Sequence, residues 1–363
     1  MEILFYFSIS LIAILISCII FSNSVEWLGA RLNLSHGITG SLLAAVGTAL
    51  PETIVPLVAI FWGISRKDLV KVLSGNIDSL NSVNQISIGA IIGAPFMLST
   101  LAFFLIGLSS FLYFKSGRRK FNLIKPDKTV LERDLLFFII SFSLAFLAIF
   151  LSRICHIIIA VFLFASYGIY LYLTIKEETK AGAFKGEDLE ENLDPFILTK
   201  LTGLQPTNLL IYVQLILSLI ILLFSAHHFV EVIKEISHKL DFSAFIISLL
   251  LTPLATELPE KFNSWMWIRQ NKDTLAVGNV SGALVFQSTF PVSIGLLFTS
   301  WHVSSKLSYV IFGFCLLSAL IVLLSSRQKK LTYKIFLLGG VFYLIYLFAV
   351  LIKYGVFNSL CSK

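Results

Sequence analysis

Long apolar runs are the feature of this sequence that most limits its possible folds. Ten runs approach or exceed the roughly 20 residues that an α-helix needs to cross a hydrocarbon core about 30 Å thick. Only 13% of the 363 residues are charged and 57% are hydrophobic, whereas the surface of a soluble domain needs far more charge. We therefore expect an all-α polytopic membrane protein with about ten transmembrane helices. The predicted spans are 3–21, 38–62, 86–114, 135–150, 154–173, 209–229, 242–268, 275–299, 307–324 and 335–351.

The main polar interruption lies near the middle of the chain and divides the spans five and five. It covers residues 176–200 and is rich in Glu and Asp. With an odd number of spans in each half, the second half enters the membrane from the opposite side, which is the geometry of an inverted repeat. We expect a five-helix repeat over 1–175, a linker over 176–205 and a second five-helix repeat over 206–363.

The basic residues indicate an orientation. An outside N-terminus places most of the 28 Lys and Arg residues on the cytoplasmic side, including the dense cluster from Lys115 to Arg133, as the positive-inside rule favours. The central linker is then cytoplasmic too. Membrane topology, not nucleic-acid binding, therefore explains the net charge of +7. The short loops favour a prokaryotic inner membrane.

A repeated motif supports the two-repeat plan. Residues 47–52 read Gly-Thr-Ala-Leu-Pro-Glu and residues 255–260 read Ala-Thr-Glu-Leu-Pro-Glu, each in the middle of a predicted span, within 40–56 and 248–264. The next span of each half contains two glycines four residues apart followed by Ala, within 86–98 and 275–288. Matches at equivalent positions in both halves indicate an internal repeat.

Glu52 and Glu260 are the central candidates for a cation site. A carboxylate at membrane depth costs at least about 2.5 kcal/mol and is usually matched by a proton, a partner or a cation. Opposite insertion of the repeats would bring the two glutamates together. Either one alone could instead be protonated and hydrogen-bonded between helices, but the duplicated placement favours a cation site.

Backbone and hydroxyl oxygens accompany the two glutamates. The preceding prolines each free the carbonyl four residues back, at Gly47 and Ala255. Thr48 and Thr256 lie four residues before the glutamates and share their helix faces. Carboxylate, hydroxyl and carbonyl oxygens on one side of a broken helix are hard ligands that suit Ca²⁺, Na⁺ or a proton.

These motifs and the five-plus-five plan resemble the sodium/calcium exchanger family of the cation/calcium antiporter superfamily, over nearly the whole chain. The resemblance implies a ten-helix inverted-repeat fold, alternating access, and ions bound between spans two, three, seven and eight. It also implies roles for Asn279, which keeps the family's residue type, and for Gln287 at the ligand position of span eight. No organic cofactor is implied.

The sequence departs from the family pattern at several ligand positions. The motif serine is replaced by Ala49 in the first repeat and by Glu257 in the second, which adds a carboxylate three residues before Glu260. In span three the ligand position falls on Leu98, or on Asn84 if the motif starts at Gly75 instead. We prefer the first register, because the second makes the span too long.

Lys261 permits two interpretations. It lies four residues after Glu257, a favourable spacing for a helical ion pair. Its ammonium could stand in for a bound cation and remove one ion site, which would favour a monovalent ion or a proton over a divalent ion. Alternatively, the side chain could point away and snorkel to the interface.

Secondary antiport is the function that these features favour. Ca²⁺ or another cation would be exchanged for Na⁺ or H⁺. The alternative is a non-transporting membrane sensor or structural relative whose ion site has decayed. The sequence shows no nucleophile–base constellation and no phosphate loop, so we do not expect an enzyme. The expected partners are inorganic cations and the lipid bilayer.

Overall fold

The computed structural model describes residues 2–31, 44–62, 81–180, 195–240, 243–303 and 306–353. Within these ranges the regular structure is helical, apart from one isolated bridge between Leu123 and Thr332. A π-helical turn, Leu98–Ala102, connects α3 to α4. The helices are α1 (Glu2–Arg31), α2 (Ala44–Trp62), α3 (Asn81–Met97), α4 (Phe103–Lys115), α5 (Lys128–Ala148), α6 (Arg153–Lys180), α7 (Ile197–Thr202), α8 (Asn208–Leu240), α9 (Ala244–Thr256), α10 (Leu258–Arg269), α11 (Asp273–Phe298), α12 (Lys306–Arg327) and α13 (Tyr333–Lys353).

Each of the ten predicted spans is mostly helical where the structure describes it. Seven helical segments there are long and apolar enough to cross a membrane, with α3 and α4 counted as one segment. The other three predicted spans correspond to α2, α5 and α9. The span predicted at 242–268 is not one helix, because it divides into α9 and α10.

Several helices extend beyond the apolar runs that predicted them. The sixth span was predicted to end at residue 229, but α8 continues to Leu240. Two ion pairs of 2.8 Å each, Lys234 with Glu231 and Lys239 with Glu235, lie along this extension. Such pairs support a polar helix outside the apolar layer, so hydropathy alone underestimates helix length.

Two segments form the centre of the bundle. Of the most apolar part of 84–115, 78% of residues are buried, and the value for α11 is 89%, whereas it is a third or less for α1, α6, α8 and α13. These outer helices carry many exposed large apolar side chains, among them Phe5, Phe162, Leu209 and Leu344. A membrane protein places such residues toward lipid, so the polar groups of the central helices are enclosed by the outer helices.

The two halves are interlocked through α3 and α9. A Cβ atom at Gly89 would collide with the carbonyl oxygen of Phe245, and one at Gly93 would collide with that of Leu249. From the first contact to the second, the residue number rises by four in both helices, so the two helices run parallel. At these positions their separation is one that only glycine permits. The corresponding glycines of α11 differ: Gly282 is 3.6 Å from the Tyr170 hydroxyl by the same measure, and Gly278 has open space.

Candidate cation-binding site

The second repeat contains the predicted helix break. α9 ends at Thr256, α10 begins at Leu258, and Glu257 between them has φ −96° and ψ 7°. Proline is tolerated in the first turn of a helix, because the N–H that it lacks has no intrahelical partner there, and Pro259 occupies this position in α10. The break places the side chains of Glu257, Glu260 and Lys261 in the interior of the bundle, whereas Leu258 is exposed.

The first repeat does not show the same break, and the prediction of a broken helix is wrong there. α2 runs without interruption from Ala44 to Trp62 and includes Pro51. Ala49 stands where the second repeat has Glu257, and Ala is the strongest helix former. Packed membrane helices tolerate an internal proline when neighbouring groups satisfy the freed carbonyl. Gly47 and Thr48 therefore lie within a continuous helix; the Thr48 side chain lies outside the described part.

Three carboxylates from the two repeats come together. Glu52, Glu257 and Glu260 are all buried, with exposed fractions of 3%, 0% and 1%. The Glu52 carboxylate interacts electrostatically with those of Glu260 and Glu257, so the opposed repeats place them near one another. Among the described residues, no three His, Cys, Asp or Glu side chains converge closely enough to hold one metal ion. Other oxygens would therefore have to complete the coordination of any ion.

Lys261 points into this group of carboxylates. Its Nζ lies 2.8 Å from Glu257 Oε2, and both side chains are buried, with exposed fractions of 3% and 0%. The ammonium also donates to the Pro253 carbonyl at 3.4 Å. The side chain thus does not snorkel: in the first turn of α10 the four-residue spacing directs it back to the helix break.

α11 contributes two amides with different contacts. Gln287 Nε2 donates to Glu257 Oε1 at 3.4 Å, while its buried Oε1 has no hydrogen-bond partner among the described residues. Asn279 Nδ2 instead donates to the Glu260 carbonyl at 3.3 Å and to Ser264 Oγ at 3.2 Å. Gln287 therefore offers an oxygen to an ion, whereas the Asn279 amide nitrogen holds α10 against α11.

The remaining predicted ligands lie on α9. Thr256 is buried, and its Oγ1 donates to the Thr252 carbonyl at 3.2 Å, which leaves the hydroxyl oxygen able to accept. Ala255 precedes it in the same helix, with its side chain outside the described residues. The hydroxyl expected beside Glu260 is thus present near the break.

The parallel packing of α3 and α9 separates the two candidates for the span-three ligand. Gly89 packs against Phe245 and Gly93 against Leu249, and a further step of four residues at the same spacing would bring the end of α3 beside Pro253. Leu98, fully buried in the π-helical turn, then lies near the level of the α9–α10 break. Asn84 lies fourteen residues earlier, roughly 20 Å along the helix axis.

Two neighbours of the carboxylates were not predicted from the sequence. Cys18 of α1 interacts electrostatically with Glu52 and Glu260, and Tyr343 of α13 with Glu257. Both look like ordinary membrane-span residues in sequence, so no local signal identifies them. Their positions bring α1 and α13 to the edge of the site.

A second polar cluster, also absent from the predictions, holds the opposite side of α11. Ser281 Oγ donates to Asp134 Oδ2 at 2.6 Å, and Arg133 pairs with the same buried carboxylate at 3.2 Å. Asp134 lies near the start of α5. The basic residues of this region were interpreted only as a topology signal, although one of them neutralises a buried acid.

Comparisons with known proteins agree with this architecture. The chain matches the family model described as sodium/calcium exchanger protein over residues 2–176 and 210–355. It is 25% identical over 293 residues to an uncharacterised membrane protein of Methanocaldococcus jannaschii, with 81% of each chain covered.

Two solved structures share the fold. The H⁺/Ca²⁺ exchanger CAX superposes with a TM-score of 0.69 at 18% identity, over 98% of this chain and 86% of that one. The sodium-calcium exchanger NCX_Mj gives 0.55 at 22% identity, over 96% and 98%. The family match spans both halves and most of the length of the chain. The chain therefore belongs to the sodium/calcium exchanger protein family.

Proposed function

We propose that the protein is a secondary antiporter that exchanges Ca²⁺ for Na⁺ or H⁺ by alternating access. The observation that carries this proposal is the Glu52 carboxylate. It is 3% exposed, and neither oxygen has a hydrogen-bond partner among the described residues, while two further buried carboxylates lie nearby. An ionised carboxylate in such surroundings requires a counter-charge, and a mobile cation would supply it.

The available ligands are hard oxygens. Glu52 and Glu260 provide carboxylates from the two repeats, and Gln287 Oε1 and the Thr256 hydroxyl provide neutral oxygens. Ca²⁺ is bound by six to eight such oxygens, often including water, and Na⁺ also favours oxygen ligands. No nucleotide or organic cofactor takes part in the proposed cycle.

Two outer helices are placed to control access. α1 and α8 pack against each other along most of their length, and both contact α2. Ile14 and Cys18 of α1 share one apolar cluster with Ile54 and Val55 of α2. Movement of the α1–α8 pair along this apolar surface would open the site to one side of the membrane and then to the other, as alternating access requires.

We also propose a prokaryotic cell membrane as the location, with the N-terminus outside and the linker in the cytoplasm. The density of basic residues after α4 supports this orientation. Single cysteines at Lys120 or Lys128, introduced into a variant without native cysteines, would test it in whole cells. The orientation requires that an impermeant maleimide label them only after the cells are opened.

The transport proposal is tested in sealed liposomes with the purified protein. ⁴⁵Ca²⁺ uptake is followed under an outward Na⁺ gradient and, separately, under an outward H⁺ gradient, with ionophores that dissipate each gradient as controls. Uptake that depends on one gradient supports the proposal and names the driving ion. No uptake under either gradient would contradict it and would favour a non-transporting relative with a decayed site.

A further inference from the structure

Buried charge outside the cation site is balanced pair by pair. In the described residues, Arg119 and Asp273 form one buried pair with a shortest distance of 2.7 Å. Asp134, with a side chain 1% exposed, is paired with Arg133. These pairs add no net charge to the interior. The buried charge that remains to be balanced therefore lies at the cation site.

Among the described side chains, those at the site carry two more negative than positive charges. Four more of the buried ionisable side chains lie there: the three carboxylates of Glu52, Glu257 and Glu260, and the ammonium of Lys261. The ammonium also interacts electrostatically with Glu52. When all four groups are ionised, three negative charges and one positive charge give a net charge of −2. One divalent cation or two monovalent cations would neutralise it.

The contacts of Glu257 show that both oxygens of this carboxylate already have partners. One of its oxygens accepts from Lys261 at 2.8 Å and the other from Gln287 at 3.4 Å. Breaking a buried ion pair by removal of one partner is costly, so Lys261 keeps Glu257 occupied. Glu52 and Glu260 then remain as the ion-binding pair, one from each repeat.

We propose that Lys261 is a tethered cation that permanently takes the place of one monovalent ion, so that exchange is electroneutral, with one divalent ion exchanged for two monovalent ions. This inference rests on the proposed antiport function and adds its charge stoichiometry. A site loaded with either set of ions is neutral and can change its exposure in the membrane. Without bound ions, these four side chains keep a net negative charge, which disfavours the change of exposure across the membrane and so enforces exchange.

The first test measures equilibrium in liposomes that contain the wild-type protein. With a tenfold outward gradient of whichever monovalent ion drives uptake, electroneutral exchange predicts that Ca²⁺ accumulates until its internal concentration is about 100 times the external one, because two such ions balance one Ca²⁺. Potassium and valinomycin then impose a membrane potential of about 100 mV, negative inside. The expected Ca²⁺ gradient does not change, because no net charge crosses the membrane.

The Lys261→Met variant tests whether the Lys261 ammonium is responsible for electroneutral exchange. Without the ammonium, three monovalent ions would be needed to neutralise the three carboxylates, and these would exchange for one Ca²⁺. Each cycle would then move one net charge across the membrane. The Ca²⁺ gradient at equilibrium should then fall by about 50-fold for each 100 mV, negative inside. The Glu257→Gln/Lys261→Met double variant loses one charge of each sign and should again be insensitive to potential.

The outcomes separate the two proposals. If the wild-type protein moves no Ca²⁺ under any gradient, the antiport function itself is wrong and the charge stoichiometry falls with it. If wild-type transport is active but its Ca²⁺ gradient follows the potential, antiport stands and the tethered-cation inference is overturned. An active Lys261→Met protein that is insensitive to potential overturns it as well. Should that variant fail to fold, the wild-type gradient still decides.

Discussion

Arg119 and Asp273, 154 residues apart in sequence, form a bidentate ion pair with Nη1–Oδ1 and Nη2–Oδ2 distances of 2.7 and 2.8 Å. Arg119 follows α4 in the first half, and Asp273 is the first residue of α11 in the second. The Lys125 N–H donates to the same carboxylate at 2.8 Å, and Arg119 also donates to the Ile268 carbonyl at 3.2 Å. The pair therefore fixes the turn between α10 and α11, the two helices that carry most of the site.

Removal of the Asp273 charge should destabilise the protein strongly. Asp273→Asn leaves the Arg119 guanidinium buried without its counter-ion, and the loss of one partner of such a pair costs about 3–5 kcal/mol. The measurement is the thermal unfolding midpoint of the purified protein in detergent. The Arg119→Met/Asp273→Leu double variant, which removes both charges, should lose less; an unchanged midpoint in Asp273→Asn would contradict the account.

Closer packing at the α3–α9 crossing should not be tolerated. Gly93→Ala places a methyl group against the Leu249 carbonyl, and overpacking of this kind costs about 1–3 kcal/mol. Gly313 in α12 provides the matched control, since a Cβ there meets nothing within 4 Å. We expect Gly93→Ala to lower the unfolding midpoint in detergent and Gly313→Ala to leave it nearly unchanged. Equal midpoints would show that α3 and α9 are not packed this closely.

We expect the side-chain oxygen of Gln287 to contribute to the affinity for Ca²⁺. Its Oε1 is buried without a hydrogen-bond partner among the described residues, so Gln287→Met removes a cation ligand at nearly constant volume. Hydrogen bonds to charged groups contribute about 1.5–3 kcal/mol, and a comparable loss would raise the Ca²⁺ concentration for half-maximal uptake by about 10- to 150-fold. Gln205→Met, at an exposed position before α8, is the control; a Gln287→Met curve that overlays it would exclude Gln287 as a ligand.

Much of the fold could be predicted because the membrane imposes simple rules on sequence. Apolar runs identified the ten spans, and the motif around Glu52 and Glu260 showed that the halves are repeats. The α9–α10 break followed from the proline before Glu260. The equivalent proline in the first repeat does not break α2, because the result depends on neighbours that a local pattern does not contain.

The side-chain arrangement of the site was less predictable. Sequence spacing placed Lys261 four residues from Glu257, but both a paired and a snorkelling ammonium agreed with that spacing. The helix break and the packing of α11 against α10 decide between them. The Arg119–Asp273 pair was not predicted at all, because its partners meet only after the two halves have packed together.

The central claim is that Glu52 carries the transported ion, and Ca²⁺ self-exchange tests it most directly. Liposomes loaded with unlabelled Ca²⁺ are given external ⁴⁵Ca²⁺, and tracer entry is compared among the wild type, Glu52→Gln and Glu235→Gln, a control at a glutamate 50% exposed on α8. No ion gradient is needed, so the result does not depend on which ion drives transport. The account predicts that tracer entry is lost in Glu52→Gln and retained in Glu235→Gln. Entry at the wild-type rate in a correctly folded Glu52→Gln protein would contradict it.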